Sequence, residues 1–293
     1  MRSWRALLVR EYLEHRAPFV WFPVGIIALL ALSAVGSLGF NRVQLVIGPQ
    51  VPSALKLFEV GYVMLLGLWF FYLAVTLFFY FSDAFHADRR NNAMFFWKSM
   101  PVSDLKMVAS KFLAGTLLFP AIIFVFALVT GLMYYALVNV GAVVMPGLIV
   151  PDPLVTLQSL GQITAFALAY LVLALLWYAP FLAWVGGLST IFGRWSLALA
   201  FVIPGLVAVV ENVVFFGHEP RGGYVWNYIS QRWQFGFNEF DYAAIVAEPT
   251  PFGAAVFLQL LLRRIDWLSM GGGLVFAALI LWLASQYRRR RIG

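Results

Sequence analysis

The sequence predicts an all-α membrane protein with six transmembrane helices. Of its 293 residues, 62% are hydrophobic and only 11% are charged, whereas a soluble domain carries about 25% charged residues. Several apolar runs reach the ~20 residues that a helix needs to cross a bilayer. Because lipid cannot satisfy backbone polar groups, and because these runs show no alternation of period two, we expect them to be helices.

The predicted spans begin after a short N-terminal segment. They cover, to within a few residues, 19–40, 60–82, 112–138, 159–187, 197–216 and 268–286. Residues 1–17 are predicted to form an interfacial helix, with one apolar face interrupted by two polar side chains, Glu11 and His15. The alternative is that this segment is only a basic flank that orients the first span.

The region 217–267 is predicted to form a cap on the outer side of the membrane. Its first part is too polar to span and too aromatic for a free linker. Its second part contains an apolar run of about a dozen residues, which is too short to cross a bilayer and favours a re-entrant or interfacial helix. Residues 1–293 as a whole are expected to form a single transmembrane domain.

The basic residues predict the orientation. If both termini are cytoplasmic, 14 of the 20 Lys and Arg residues fall on the inner side, as the positive-inside rule requires. An even number of spans agrees with this arrangement. The net charge of +7 is therefore interpreted as a topology signal, and no nucleic-acid partner is expected.

Several kinds of catalytic site are absent from the sequence. There is no Cys, and no Lys follows a Gly, which excludes thiolate chemistry and a phosphate-binding loop of the Gly-Lys-Ser/Thr type. The three histidines, at 15, 86 and 218, lack the spacing of a helical zinc pair. We therefore expect no catalytic residue, no metal site and no cofactor in this chain, and we do not expect an enzyme.

Ionisable residues are scarce within the predicted spans. The clearest case is Glu211, beside Asn212, in the outer half of the fifth span. An acid inside a membrane is costly and indicates a functional site, so both residues are candidates for a substrate pathway. The alternative is that Glu211 lies near the outer headgroups, paired with an Arg or with His218. The scarcity of such groups argues against a proton-driven carrier.

The segment 83–111, between spans two and three, concentrates charge and aromatic residues. A charged stretch is followed by a Phe-Phe-Trp cluster at 95–97 and then by Pro101, which ends any preceding helix. Ser103 can cap a following helix with Asp104 in its first turn. The pattern predicts a helix, a break, and a second helix leading into span three. The alternative is a solvated loop whose charge only fixes topology.

The stretch "SMPVSDLKMVASK" resembles the first cytoplasmic loop of permeases of the ATP-binding cassette (ABC) type-2 exporter superfamily. In that loop a charged stretch leads into Leu-Pro-Val-Ser and, before span three, a lysine. Here Met100 stands in place of the leucine, and Lys111 matches the lysine. The six spans, the N-terminal helix and the re-entrant region are also similar to that superfamily.

The resemblance implies a permease subunit that forms a dimer, expected to be a homodimer, in a bacterial cytoplasmic (inner) membrane. Two separate ATP-binding subunits would hold ATP and Mg²⁺, and their closure would push on a coupling helix in 83–111 and tilt spans two and three. The residues implied in this coupling are Asp88, Arg89, Arg90, Phe95, Phe96, Trp97, Lys98, Pro101, Ser103, Asp104 and Lys111.

The expected substrate is amphipathic or hydrophobic, such as a peptide, a lipid or a drug, because the spans carry few fixed charges. Two alternatives stay open. The same fold could serve a scaffold or sensor subunit that transports nothing. An intramembrane enzyme would require a cluster of acids or histidines, which the sequence does not indicate.

Overall fold

The computed structural model of the chain describes most of the sequence, with gaps. The described residues are 2–39, 53–90, 103–144, 151–216, 223–233, 235 and 250–291. All regular structure within these ranges is helical. This confirms the predicted all-α class.

The N-terminal segment and the first two predicted spans are helical. Helix α1 (Arg2–Glu14) is followed by a short π-helical stretch, Ala17–Trp21, and by α2 (Phe22–Gly39). Helix α3 (Ala54–Arg90) has 37 residues, and at 1.5 Å per residue it is about 56 Å long. It extends beyond the predicted span 60–82 at both ends because its polar end residues continue the helix past the ~30 Å hydrocarbon core.

The predicted helix after Pro101 is confirmed. Helix α4 (Asp104–Leu113) begins at Ser103, whose side chain accepts a hydrogen bond from the Lys106 amide. The chain then continues through a π-helical stretch, Ala114–Leu118, into α5 (Phe119–Val144). The capped helix and the third membrane helix thus form one uninterrupted rod.

Two further membrane helices fold back on each other. Helix α6 (Pro153–Phe192) ends at a 3₁₀ turn, Gly193–Trp195, and α7 (Ser196–Glu211) follows it. The Trp184 indole donates to the Ala200 carbonyl at 3.3 Å, so the two helices run antiparallel. A π-helical stretch, 212–216, extends α7.

The predicted cap region contains two short helices, α8 (Tyr224–Trp233) and α9 (Ala254–Arg264). Helix α9 has 11 residues, about 16 Å, which is too short to cross a bilayer. It packs against α6. Helix α10 (Trp267–Arg291) completes the described chain.

Five stretches of the described residues are long and apolar enough to cross a membrane: Ala17–Gly36, Ala54–Ala87, Asp104–Gly141, Pro153–Val214 and Trp267–Arg290. The chain is thus a multi-pass helical membrane protein in contact with lipid. The fourth stretch has 62 residues, about 93 Å of helix, and it contains the turn at 193–195. The predicted spans four and five are therefore two antiparallel helices of one continuous apolar stretch.

The core is centred on α3, which packs along α5 and α6. Where α3 contacts α5, a glycine on each helix leaves room for a tyrosine ring of the other helix. A Cβ at Gly61 would lie 2.4 Å from the Tyr134 hydroxyl, and a Cβ at Gly131 would lie 2.4 Å from Cε2 of Tyr62. Larger residues at either glycine would force these two helices apart.

Candidate functional site

The lysine that the motif singles out lies in a buried ion pair. The Nζ of Lys111, in the last turn of α4, is 3.0 Å from Oε1 of Glu11 on α1. Both residues are 2% exposed. A buried pair of this kind costs desolvation energy and persists only where further polar contacts complete it.

Tyr80 and His15 supply those contacts. The Tyr80 hydroxyl is 3.0 Å from Oε2 of Glu11 and 2.9 Å from the Lys111 carbonyl oxygen, and it shares its proton between these two acceptors. The His15 Nδ1 is 3.9 Å from Oε2 of Glu11. The imidazole also stands edge-on to the Tyr80 ring, with centroids 4.8 Å apart. We call Glu11, His15, Tyr80 and Lys111 the junction, because it joins α1, α3 and α4.

Aromatic packing continues from the junction into the bundle. Phe19 stacks on Phe119 with ring centroids 3.9 Å apart, and both side chains are almost fully buried. Lys106, one turn before the junction lysine, places its ammonium 5.5 Å from the centroid of the Trp4 ring. Helix α1 is therefore fixed along α4 by a cation–π contact at one point and by the ion pair at another.

The carboxylates around the junction are engaged by cations. Glu11, Glu14 and His15 bring three possible ligand atoms within 4.8 Å of one another. Glu14, however, pairs with Arg10 at 2.8 Å, and Glu11 pairs with Lys111 at 3.0 Å. The arrangement is an ion-pair network, and its chemistry does not favour a metal ion.

The predicted coupling residues fall into three groups. Ser103, Asp104 and Lys111 lie on or next to α4, where Ser103 caps the helix and Lys111 enters the junction. Residues 88–90 form the last residues of α3, and their side chains lie outside the described part. The remaining predicted residues also lie outside it: Phe95, Phe96, Trp97, Lys98 and Pro101.

Glu211 binds a helix end. Its Oε1 accepts a hydrogen bond from the Tyr224 amide at 2.7 Å, and its Oε2 accepts one from the Val225 amide at 2.8 Å. These amides belong to the first turn of α8, where backbone donors lack intrahelical acceptors and the helix dipole favours a negative charge. Asn212 is buried and donates to the Ala208 carbonyl at 2.7 Å. A place for either residue in a substrate pathway stays a prediction.

A second buried ion pair, missed in the sequence, lies at the end of the bundle opposite the junction. Lys56 Nζ is 2.9 Å from Oε2 of Glu59, and both belong to the first turns of α3. Oε1 of Glu59 accepts hydrogen bonds from the Ser159 hydroxyl at 2.7 Å and from the Phe252 amide at 2.9 Å. Glu59 therefore ties α3 to α6 and to the segment that precedes α9.

Arg232 on α8, also missed, is a buried cation. Its guanidinium donates to the Trp177 carbonyl at 2.7 Å and to the Ser269 carbonyl, and it lies 4.4 Å from the Trp177 ring centroid. A Cβ at Gly273 would meet this guanidinium at 2.4 Å. One of the three glycines at 271–273 is thus required for close approach, and Arg232 holds α8 against α6 and α10.

The sequence carried no signal for these contacts. Lys56 looks like an ordinary flanking charge next to a span, and Arg232 looks like a charge of the predicted cap. Glu59 lies one residue before the predicted start of span two. Their partners are far away in the sequence, and only the packing of α6 and the cap against α3 brings them together.

No family model matches this chain, and the comparisons with curated proteins and with solved structures likewise return no match. A function for this chain is therefore inferred from the junction, from the helices it joins, and from the resemblance of the segment 83–111 to a permease loop.

Proposed function

We propose that this chain is the membrane subunit of an ATP-driven exporter, coupled to two separate ATP-binding subunits of the ABC type and paired with a second permease subunit. The observation that carries the proposal is the rod formed by α4 and α5, which starts at the Ser103 cap and continues into the membrane. A force applied just before Ser103 would act directly on this membrane helix.

The junction supports a lever at this end of the bundle. Helix α1 is held to α4 by the Glu11–Lys111 pair and to α3 by the Tyr80 hydroxyl. A push on the segment between α3 and α4 would therefore move three helices together as a rigid body, which is a common form of conformational coupling. Without the junction, α4 could tilt while α1 stayed in place.

Helix α1 and the last turns of α10 both lie at the junction end of the bundle. Arg288, near the end of α10, donates to the Phe85 carbonyl near the end of α3 at 3.4 Å, and α1 lies against α4. This arrangement supports an even number of crossings, six if α6 and α7 each cross once. Together with the distribution of Lys and Arg, it favours cytoplasmic termini and a bacterial cytoplasmic membrane.

The buried charges favour a substrate without a strong net charge. The charges of Glu11, Glu59 and Arg232 are each held by groups of the protein itself. These groups stabilise helix contacts and do not offer an open charged surface to a cargo. An amphipathic or hydrophobic molecule, such as a peptide, a lipid or a drug, is therefore the proposed substrate class.

The test is complex formation with an ATPase. The chain is co-expressed with the ATP-binding protein of the neighbouring reading frame, and co-purification and ATP hydrolysis are measured in proteoliposomes. Substitution of Phe95, Phe96 and Trp97 together by Ser should abolish co-purification. The matched control is Trp233→Ser, an exposed aromatic residue at the end of α8, which should leave the complex intact.

Two results would contradict the proposal. Either the neighbouring frame encodes no protein with a phosphate-binding loop, or the triple variant binds and stimulates the ATPase as the unaltered chain does. A complex that forms while ATP hydrolysis and export do not respond to substrate would instead indicate a scaffold or sensor subunit.

A further inference from the structure

Helix α8 is attached at both of its ends by side chains of other helices. At its start, the Glu211 carboxylate of α7 accepts hydrogen bonds from two backbone amides. At its end, the Trp177 indole of α6 donates to the Arg232 carbonyl at 2.8 Å. The Tyr178 hydroxyl, also on α6, donates to the Trp233 carbonyl at 3.3 Å. Because carbonyls in the last turn of a helix lack intrahelical donors, α6 completes the hydrogen bonding of α8, and α8 forms a strap from α7 to α6.

The side chain of Arg232 extends this strap to α10. Its guanidinium donates to the Trp177 carbonyl on α6 and to the Ser269 carbonyl on α10. One buried side chain thus bridges two long helices. The Nε atom of the same guanidinium is buried and has no hydrogen-bond partner among the described residues. A buried polar atom without a partner costs free energy, so the guanidinium is held less firmly here than in a fully satisfied site.

The guanidinium bridge holds α6 and α10 at turns that are intrinsically weak. Pro180, three residues after Trp177, has no amide hydrogen, so the Leu176 carbonyl loses its intrahelical donor. In α10 three consecutive glycines, 271–273, follow Ser269, and glycine is among the least favourable residues inside a helix. A Cβ at the first or second of these glycines would have no described neighbour within 4 Å, so close packing does not require them. Both helices can therefore bend next to the bridge.

From Ala179 towards the junction end, α6 and α10 pack directly against each other. A buried cluster between them consists of Ala179, Ala183 and Ala277. Further along, a Cβ at Gly187 would lie 2.5 Å from Cγ2 of Ile280, so the helices could not stay this close with a larger residue there. We call this contact the pivot. It fixes one part of the helix pair without any charged group, and the guanidinium bridge holds the other part.

We propose that Arg232 is a latch that keeps the part of α6 before Pro180 closed against the start of α10, and that its release lets these helices separate about the pivot. Release requires that the guanidinium exchange two carbonyls for water or for an acceptor on another molecule, whereas the pivot loses no contact. The latch is a property of this chain alone and does not rest on the proposed ATPase partner.

The test uses pairs of spin labels, which can be placed cleanly because the chain has no Cys. The latch pair joins Leu168 on α6 to Leu268 on α10, and the pivot pair joins Ile191 to Leu283; all four side chains are exposed. Distances are measured by double electron–electron resonance in lipid nanodiscs. In Arg232→Met a longer distance should appear for the latch pair only. The ratio of this population to the original one should rise at least about tenfold, because a hydrogen bond to a charged group contributes about 1.5–3 kcal/mol and about 1.4 kcal/mol corresponds to tenfold.

The matched control is Arg263→Met, which removes an exposed arginine from α9 and should leave both distances unchanged. Arg232→Lys keeps a cation but loses the planar fork that reaches two acceptors; it should show a smaller long-distance population, and it serves as the test if Arg232→Met does not fold. An unchanged latch pair in every folded Arg232 variant would overturn the proposal. Equal lengthening of both pairs would also overturn it, because Arg232 would then stabilise the whole bundle and not one contact.

Discussion

Removal of the Lys111 charge should destabilise the protein strongly. In Lys111→Met the side chain keeps its length, but the carboxylate of Glu11 stays buried without the ammonium 3.0 Å away. Breaking a buried pair by removing one partner costs about 3–5 kcal/mol. For a chain of this size that loss lowers the apparent melting temperature by roughly 6–20 °C.

The double variant Glu11→Met with Lys111→Met should recover most of this loss. Replacing both members of a buried pair by apolar residues removes the uncompensated charge and is often close to neutral. The assay is thermal unfolding of the purified protein in detergent, followed by tryptophan fluorescence, for the four members of the double-mutant cycle. The matched control is Lys106→Met on the same helix, which loses a cation–π contact with Trp4 that contributes about 0.5–1 kcal/mol.

Either of two results would show that the Glu11–Lys111 pair does not stabilise the junction. One is a Lys111→Met variant whose melting temperature falls no further than that of the Lys106→Met control. The other is a double variant that is no more stable than Lys111→Met alone, since this would mean that Glu11 gains nothing from the lysine.

Three further predictions concern α8 and the residues that contact it. Glu211→Ala leaves two amides at the start of α8 without acceptors, which should destabilise the protein by about 0.5–2 kcal/mol. Amide hydrogen exchange at Tyr224 and Val225 should become faster, and unchanged exchange would contradict the capping role of Glu211. Arg232→Lys replaces the guanidinium that donates to two carbonyls by an ammonium, and it should destabilise the protein by about 1.5–3 kcal/mol in thermal unfolding. An unchanged stability would show that these two hydrogen bonds do not require a guanidinium. Hydrogen bonds from Ser269 hold the pKa of Asp266 below its ordinary value of 3.8. The Asp266 carboxylate therefore stabilises the folded protein above pH 3.8, and this stabilisation is lost as the pH falls through the lowered pKa. The difference in melting temperature between the unaltered chain and Asp266→Ala should therefore shrink from pH 6 to pH 3, and a constant difference would count against this cap.

The helices were predictable because their signals are local. Ser103 followed by Asp104 predicted a capped helix, and the structure has that helix with the Ser103 side chain at its first turn. The short apolar run after Pro251 predicted a helix that cannot span, and α9 is such a helix. Propensity, capping and hydrophobic length act within a few residues, so a sequence can reveal them.

The meaning of the buried charges was not predictable. Glu11 looked like an interruption of the apolar face of α1, yet it is the residue through which α1 binds Lys111 and Tyr80. The contact of Glu211 was equally hidden in the sequence, because its carboxylate caps α8, a helix that begins 13 residues later. In each case the partner lies on another helix, and the free energy of a charge in a membrane protein depends on that partner.

The sequence alone determined that this chain is helical, that it lies in a membrane, and that a capped helix leads into its third span. These properties follow from apolar content and from backbone groups that lipid cannot satisfy. The tertiary structure alone decided what each buried charge contacts: Lys111 pairs with Glu11, Glu59 accepts from the Ser159 hydroxyl, and Arg232 donates to the Trp177 carbonyl. The reason is physical, since the interaction between two charges depends on their distance and burial, and helix packing sets both.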